Sequence, residues 1–250
     1  MSQKYHRNSR TIRKYLDQHF PATGEIKVPS QPINLIFDAT FFRRDYGLIV
    51  CRADKKNIYW QEIKTERIED YKKILTDLIN VGFKFQAFTI DGRRGVIQLL
   101  NKYFPQTPIQ LCQFHQIQII TRYLSRRPIL LAGKELRALT LTLTKTKKEI
   151  FIYEFEQWHL RWKTFLKEKH KNFLNQRCYF VHRRLRSAYR SLQTNLPYLF
   201  TYLDYPKLKI PNTTNSCDGS FAHWKQKVKI HRGLSQKRRK KMIDYLLENS

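Results

Sequence analysis

The sequence predicts an α/β fold: a mixed five-stranded sheet flanked by helices, with an all-helical insertion before a late helix. Three observations carry that expectation. Three apolar runs of strand length follow one another from residue 33. From residue 68 onward, helical and strand periodicities alternate. From 115 to about 205 the period stays helical and the composition is strongly basic.

Each element has its own warrant. Residues 5–20 read as a short basic helix, with Ile12, Tyr15 and Leu16 on one face. "PATGEIKVPSQP" (21–32) holds three prolines and a glycine and reads as a linker. "INLIFDATFF" (33–42) is a continuous apolar run that reaches Asp38, the pattern of a strand covered on both faces. "YGLIVCRA" (46–53) and "NIYWQEI" (57–63) are two further strands, with Asp54–Asn57 as the turn between them. Ile68, Tyr71, Ile74, Leu75, Leu78 and Ile79 then fall at helical spacing, and Gly82 closes that helix. "FQAFTI" (85–90) is a strand ending at Asp91-Gly92, "RRGVIQLLNKYF" (93–104) a helix stopped by Pro105, and "PIQLCQF" (108–114) a fifth strand. "PNTTNSCDGSFAHWKQK" (211–227) opens a late helix, and "SQKRRKKMIDYLLEN" forms a basic helix at the end of the sequence.

Three antiparallel strands leading into alternating helix and strand are the layout of the ribonuclease-H-like fold. In that layout the first and fourth strands are neighbours, so Asp38 and Asp91, each expected at a strand end, would meet at one edge. Like charges brought together repel, and a divalent cation resolves the repulsion. Mg²⁺ takes oxygen ligands and is held by one or two carboxylates plus substrate phosphate; two such ions ~3.5–4 Å apart serve phosphoryl transfer. Asp218, one turn into the late helix, is the candidate third carboxylate. Taken singly, each of these acids could be a turn former or a complement to a helix dipole; the strand order and the overall charge favour the metal reading.

The charge is one-sided. Lys and Arg number 48 against 20 Asp and Glu, a formal net charge of +28, and the sequence pI is about 10.1. With 41% hydrophobic and 14% aromatic residues the chain is globular in composition rather than disordered. The excess charge calls for a polyanionic partner, and nucleic acid suits it better than a membrane surface, because basic and aromatic residues interleave along the chain and do not gather on one amphipathic helix. No stretch approaches the ~20 apolar residues of a membrane span. Cys51, Cys112, Cys178 and Cys217 are scattered and show no disulfide framework, which points to a reducing cytoplasm. No Gly-rich phosphate loop is present, so no nucleotide cofactor is expected.

The stretch Asn212–Gly219, followed by Phe221–Lys225 and His231–Leu234, resembles the signature end of Mutator-type bacterial insertion-sequence transposases. Asp38-Ala39-Thr40, Asp91-Gly92 and Cys112-x-x-His115 resemble the motifs at and after that family's first two acids. The resemblance covers residues 33–245. It implies a DDE-type transposase that cuts and joins DNA at insertion-sequence ends, with two Mg²⁺ or Mn²⁺ ions held by Asp38, Asp91 and Asp218. It also implies a homo-oligomer in the DNA complex and a nucleoid-associated location in the cytoplasm. The third acid of the family is Glu, where this chain has Asp218. Residues 1–20 then read as the remnant of an N-terminal helical DNA-binding region, the chain being N-terminally truncated, with 21–32 the linker. Residues 33–114 read as the first part of the catalytic core, 115–205 as the insertion, and 206–250 as the last catalytic helix and the basic helix. Arg93, Arg94, Asn215, Lys225, Lys227, His231 and Arg232 are candidate DNA contacts. Cys112 and His115 hold half of a zinc site's ligands, and Cys178 with His182 could supply the rest; a signature at the edge of the catalytic core is the preferred reading. The alternatives are a decayed remnant that only binds DNA, and a structure-selective nuclease without strand transfer.

Overall fold

The structure is a computed structural model and describes residues 8–18, 28–44, 46–171, 176–231 and 233–249. Five strands form one mixed sheet in the order β3-β2-β1-β4-β5, flanked by helices, and a separate two-stranded ribbon is made by β6 and β7. By its contacts the chain divides into two compact units, Met1–Phe85 with Asn215–Ser250, and Gln86–Thr214.

The first unit is built on β1 (Ile33–Arg43), β2 (Tyr46–Ala53) and β3 (Lys56–Ile63), paired antiparallel in sequence order. Asp54 and Lys55 join β2 to β3 with φ of 47° and 66°, the two left-handed residues of a tight hairpin turn. Alternation along β1 and β2 sends successive side chains to opposite faces. On one face, Phe37 meets Tyr71 of α2 (Ile68–Val81) edge-on, with ring centroids 5.8 Å apart. On the other, Ile36, Leu48 and Val50 pack with Cys217, Phe221 and Trp224 of α9 (Asn215–Ile230) and with Ile243 and Leu247 of α10 (Gln236–Glu248). Gly82 ends α2 at φ 108°, where its N–H reaches the carbonyl of Ile79. The helix α1 (Ser9–Gln18) belongs to this unit; the linker expectation falls largely on residues outside those described.

The second unit holds β4 (Phe85–Ile90) from its second residue, α3 (Arg94–Tyr103), β5 (Ile109–Leu111) and a helical body: α4 (Gln113–Leu124), α5 (Leu131–Leu141), α6 (Lys148–Lys167), α7 (Arg183–Leu199) and the short α8 (Thr201–Asp204). β4 and β5 run parallel. The Gln110 and Gln113 amides both donate to the carbonyl of Leu199, at 2.9 and 2.8 Å, which bolts the end of α7 to β5. Phe151, Phe155 and Trp158 of α6 fill the helical core, where the Trp158 indole donates to the carbonyl of Ala132 at 3.0 Å. Trp158 is a core residue, 4% exposed.

Three expectations need correcting. The fifth strand ends at Leu111, not 114, because Cys112 caps α4 and Gln113-Phe114 are already helical. The stretch 115–205 is not all-helical: β6 (Lys169–Lys171) and β7 (Cys178–Phe180) pair antiparallel within it. Asp38 is not at a strand end, since β1 runs on to Arg43. Among the described residues no helix is long and apolar enough to cross a membrane.

Candidate functional site

Asp38 lies in β1 opposite Val50, two residues from Ile36 and two from Thr40, so alternation puts it on the face that packs α9. It is 5% exposed, and its Oδ1 accepts from the Ala39 N–H at 2.8 Å. Asp218 is half-buried in the first turn of α9. Its neighbour Cys217 is buried. Burial first, then the charge of Asp38, push this thiol up to about 12; Arg52 pulls it the other way, and Asp218 adds a push weaker than that pull. Both carboxylates therefore act on one thiol from two different elements of the first unit.

Arg52 sets that arrangement. It is 3% exposed and sits opposite Ile36 on the same face. Its guanidinium donates to the carbonyl of Ser216, to Ser220 Oγ at 3.0 Å and to Asn57 Oδ1 at 2.9 Å. The Asn57 amide in turn donates to the carbonyl of Leu247 at 2.9 Å. One cation thus ties β2 to the turn that carries Asp218, and a buried charge is tolerable because its donors are satisfied. Sequence reasoning missed Arg52. The available signal was an arginine inside an otherwise apolar strand, "YGLIVCRA".

In the second unit, Asp91 follows β4 and is half-buried; its Oδ1 accepts from the Arg93 N–H at 3.3 Å. Gly92 next to it adopts φ 91°, a left-handed turn that a side chain would strain. The Cys112–His115 signature has a structural task. Cys112 Sγ caps α4, accepting from the His115 N–H at 3.5 Å, and also accepts from the Thr214 N–H at 3.2 Å and Oγ1 at 3.4 Å. His115 Nδ1 lies 3.3 Å from Thr214 Oγ1. Asn212 O accepts from the Gln113 N–H at 3.0 Å, and Pro211 O from Thr89 Oγ1 at 3.0 Å. The segment 211–214 is thereby pinned to the ends of β4 and β5. Burial raises the Cys112 thiol, yet the hydrogen bonds from His115 and Thr214 outweigh it and hold the thiol below its ordinary value. Cys178 is exposed in β7, and His182 pairs with Glu168 at 2.9 Å.

Of the other candidates, Arg94, Asn215 and Lys225 are exposed, while Arg93, Lys227 and His231 are half-buried. Arg232 lies outside the described residues. Among the described residues no group of three or more His, Cys, Asp or Glu stands ready to hold a metal. The hard oxygen donors of Asp38 and Asp218 suit Mg²⁺ or Mn²⁺ in chemistry. No protein-family model matches the chain, and no curated protein matches it either.

Proposed function

We propose that this chain is a DDE-type transposase of the Mutator-like insertion-sequence kind, with a ribonuclease-H-like catalytic core, that cuts and joins DNA strands at element ends. The observation that carries the reading is that Asp38 of β1 faces the side of the sheet on which α9 packs, the helix whose first turn carries Asp218. Bound Mg²⁺ or Mn²⁺ would supply Lewis acidity to the phosphoryl group, with Asp38, Asp91 and Asp218 holding the ions. Arg52 keeps the Asp218 turn seated on the sheet. In the first reaction water adds to phosphorus, the bond from phosphorus to the 3′ oxygen breaks, and a 3′-hydroxyl and a 5′-phosphate result. That hydroxyl then attacks a target phosphodiester and releases a target 3′-hydroxyl. The partner is double-stranded DNA, met by a homo-oligomer.

A second reading, a remnant that binds DNA without chemistry, is favoured by Asp218 in place of Glu. Asp is one methylene shorter than Glu. Nicking of a labelled element-end duplex in Mg²⁺ decides between the two. If the site works, the chain as given nicks, and Asp38→Asn or Asp91→Asn abolishes nicking while binding persists. If the site has decayed, the chain as given is inactive and Asp218→Glu restores cleavage. Equal nicking by the chain and by Asp91→Asn rejects the catalytic assignment. DNA affinity falls on the order of 10³-fold or more between low and moderate salt for several phosphate contacts; a flat dependence speaks against DNA as the partner.

A further inference from the structure

A cleft of about 960 Å³ lies inside the second unit, between one face of α7, the C-terminal half of α4 and the turn after β4. Arg94, Arg122, Arg184 and Arg190 line it, and all four are exposed. Its floor carries hydroxyl and amide groups, among them Ser187, Ser191 and Thr194, which recur at helical spacing along α7. Tyr123, 37% exposed, stands in the wall.

The charge in this cleft is uncompensated. No acid occurs from Lys169 to Leu203, and Asp91 alone occurs from Gln86 to Lys134. The protein's scarce carboxylates neutralise cations elsewhere, as in Arg161–Glu135, Lys148–Asp204, Arg238–Asp17 and Lys240–Glu62. Among the described residues none of the four cleft arginines takes part in an ion pair. A row of basic residues on a convex helix would be an ordinary solvated surface. Four guanidiniums converging on a concave wall repel one another, and a polyanion between them relieves that repulsion and is drawn in by the focused field. Hydroxyl and amide donors suit phosphate oxygens, and an exposed ring suits the face of an unpaired base. Neighbouring packed helices lie ~8–10 Å apart, so the groove between α4 and α7 has room for one backbone rather than a duplex. At its inner end the lining reaches Gly92, the residue after Asp91.

We infer that this arginine-lined cleft holds a single DNA strand by its phosphates and leads that strand to Asp91. The role given to Asp91 rests on the transposase reading; the binding of a strand does not. The test is therefore run in EDTA, where no cleavage occurs. Fluorescence anisotropy of a labelled oligothymidylate is measured with the full chain, with Arg94→Gln/Arg190→Gln, and with Lys72→Gln/Lys73→Gln on α2 as a charge-matched control. Both arginines are exposed, and among the described residues neither side chain makes a hydrogen bond, so the fold is kept; an unchanged circular-dichroism melt verifies that.

The cleft variant loses about tenfold or more in affinity, and its salt slope is shallower by about 1.4, the share of two phosphate contacts on a single strand. The α2 control changes little by comparison. Equal losses in the two variants overturn the inference, because charge alone then explains binding. An equal loss for a blunt duplex overturns the single-strand assignment, and tighter binding of oligouridylate overturns DNA as the occupant. Asp91→Asn binds like the parent. If no variant of the chain ever nicks DNA but the cleft variant still loses the strand, the catalytic reading falls and this one stands.

Discussion

In the unit built on β1–β3, the charged side chains of Arg52 and Asp38 enter the core with partners. Arg52 is surrounded by the Ser216 carbonyl, Ser220 and Asn57, and Asp38 takes the Ala39 N–H. In the unit that carries α4 and α7, four arginines stand in solvent along a cleft that has no acid in its lining. The buried thiols repeat the contrast. Burial, then the neighbouring Cys217, push Cys51 of the first unit well up, whereas Cys112 of the second is held down by donors despite its burial. One region uses a buried guanidinium to fix the turn that carries an acid; the other pairs Arg161 and Lys148 with acids but leaves the four arginines of its cleft without an ion pair among the described residues.

The largest effect that sharpens this contrast should come from Arg52→Met. Removal of the guanidinium leaves buried acceptors without their donor, an expected loss of about 2–4 kcal/mol in urea unfolding. Hydrogen exchange should quicken in the first turns of α9 and in β2, and nicking should fall with it. If peptides of α4 and α7 quicken as much, Arg52 supports the whole molecule and the contrast between the units is lost.

The next effect is alkaline. The folded-state value for Cys51 lies above its unfolded value, so the stabilisation is complete below about pH 8.5 and drains away as pH climbs toward the folded value, at about 1.4 kcal/mol per pH unit. Cys51→Ala should flatten that alkaline decline in the urea midpoint. Cys112 has the opposite sign: its folded value is depressed, so its contribution is present above the unfolded value and is lost as pH falls through the folded one. Cys112→Ala should therefore remove a gain in stability that the parent shows as pH climbs toward about 8.5, and leave the alkaline decline above that as it is. It should also cost about 1 kcal/mol, since the Thr214 N–H loses a buried acceptor. Parallel pH profiles for the two variants would remove the opposition between the thiols.

The sequence shows some of this and hides the rest for physical reasons. β1, β2, β4, α2 and α3 are legible because each has buried apolar residues in a run or at a period, and Gly82 marks a left-handed stop. The side of the sheet that Asp38 faces was within reach, since Ile36, Asp38 and Thr40 alternate with the residues of the opposite face. The C-terminal end of β5 was not, because Cys112 reads as one more apolar residue in a run while its sulfur serves as a helix cap. Lys169–Lys171 has no strand pattern of its own and becomes a strand only by pairing with Cys178–Phe180. Arg52 hides because one polar residue in an apolar strand has no period. The arginine cleft hides because Arg94, Arg122 and the pair Arg184 and Arg190 come from three separate segments, and only folding gathers them.

The smallest effect tests whether surface charge holds the first unit together at all. Asp17 of α1 accepts from Arg238 Nε of α10 at 2.8 Å, and the Lys241 side chain donates to the Asp17 carbonyl. The hydrogen bond from Arg238 holds the Asp17 carboxyl below its usual range. The pair lies on the surface, where water and salt screen it and two long side chains must be ordered to make it, so it adds little to global stability. It does restrain a helix of ten residues, too short to persist by itself in water. Arg238→Ala should thus leave the urea midpoint where it is, while trypsin cuts after Arg13 or Lys14 more quickly than in the parent, because local opening of α1 no longer works against its tie to α10. A midpoint shift comparable to that of Arg52→Met would mean that exposed ion pairs, and not the buried guanidinium, hold the acid-bearing unit together.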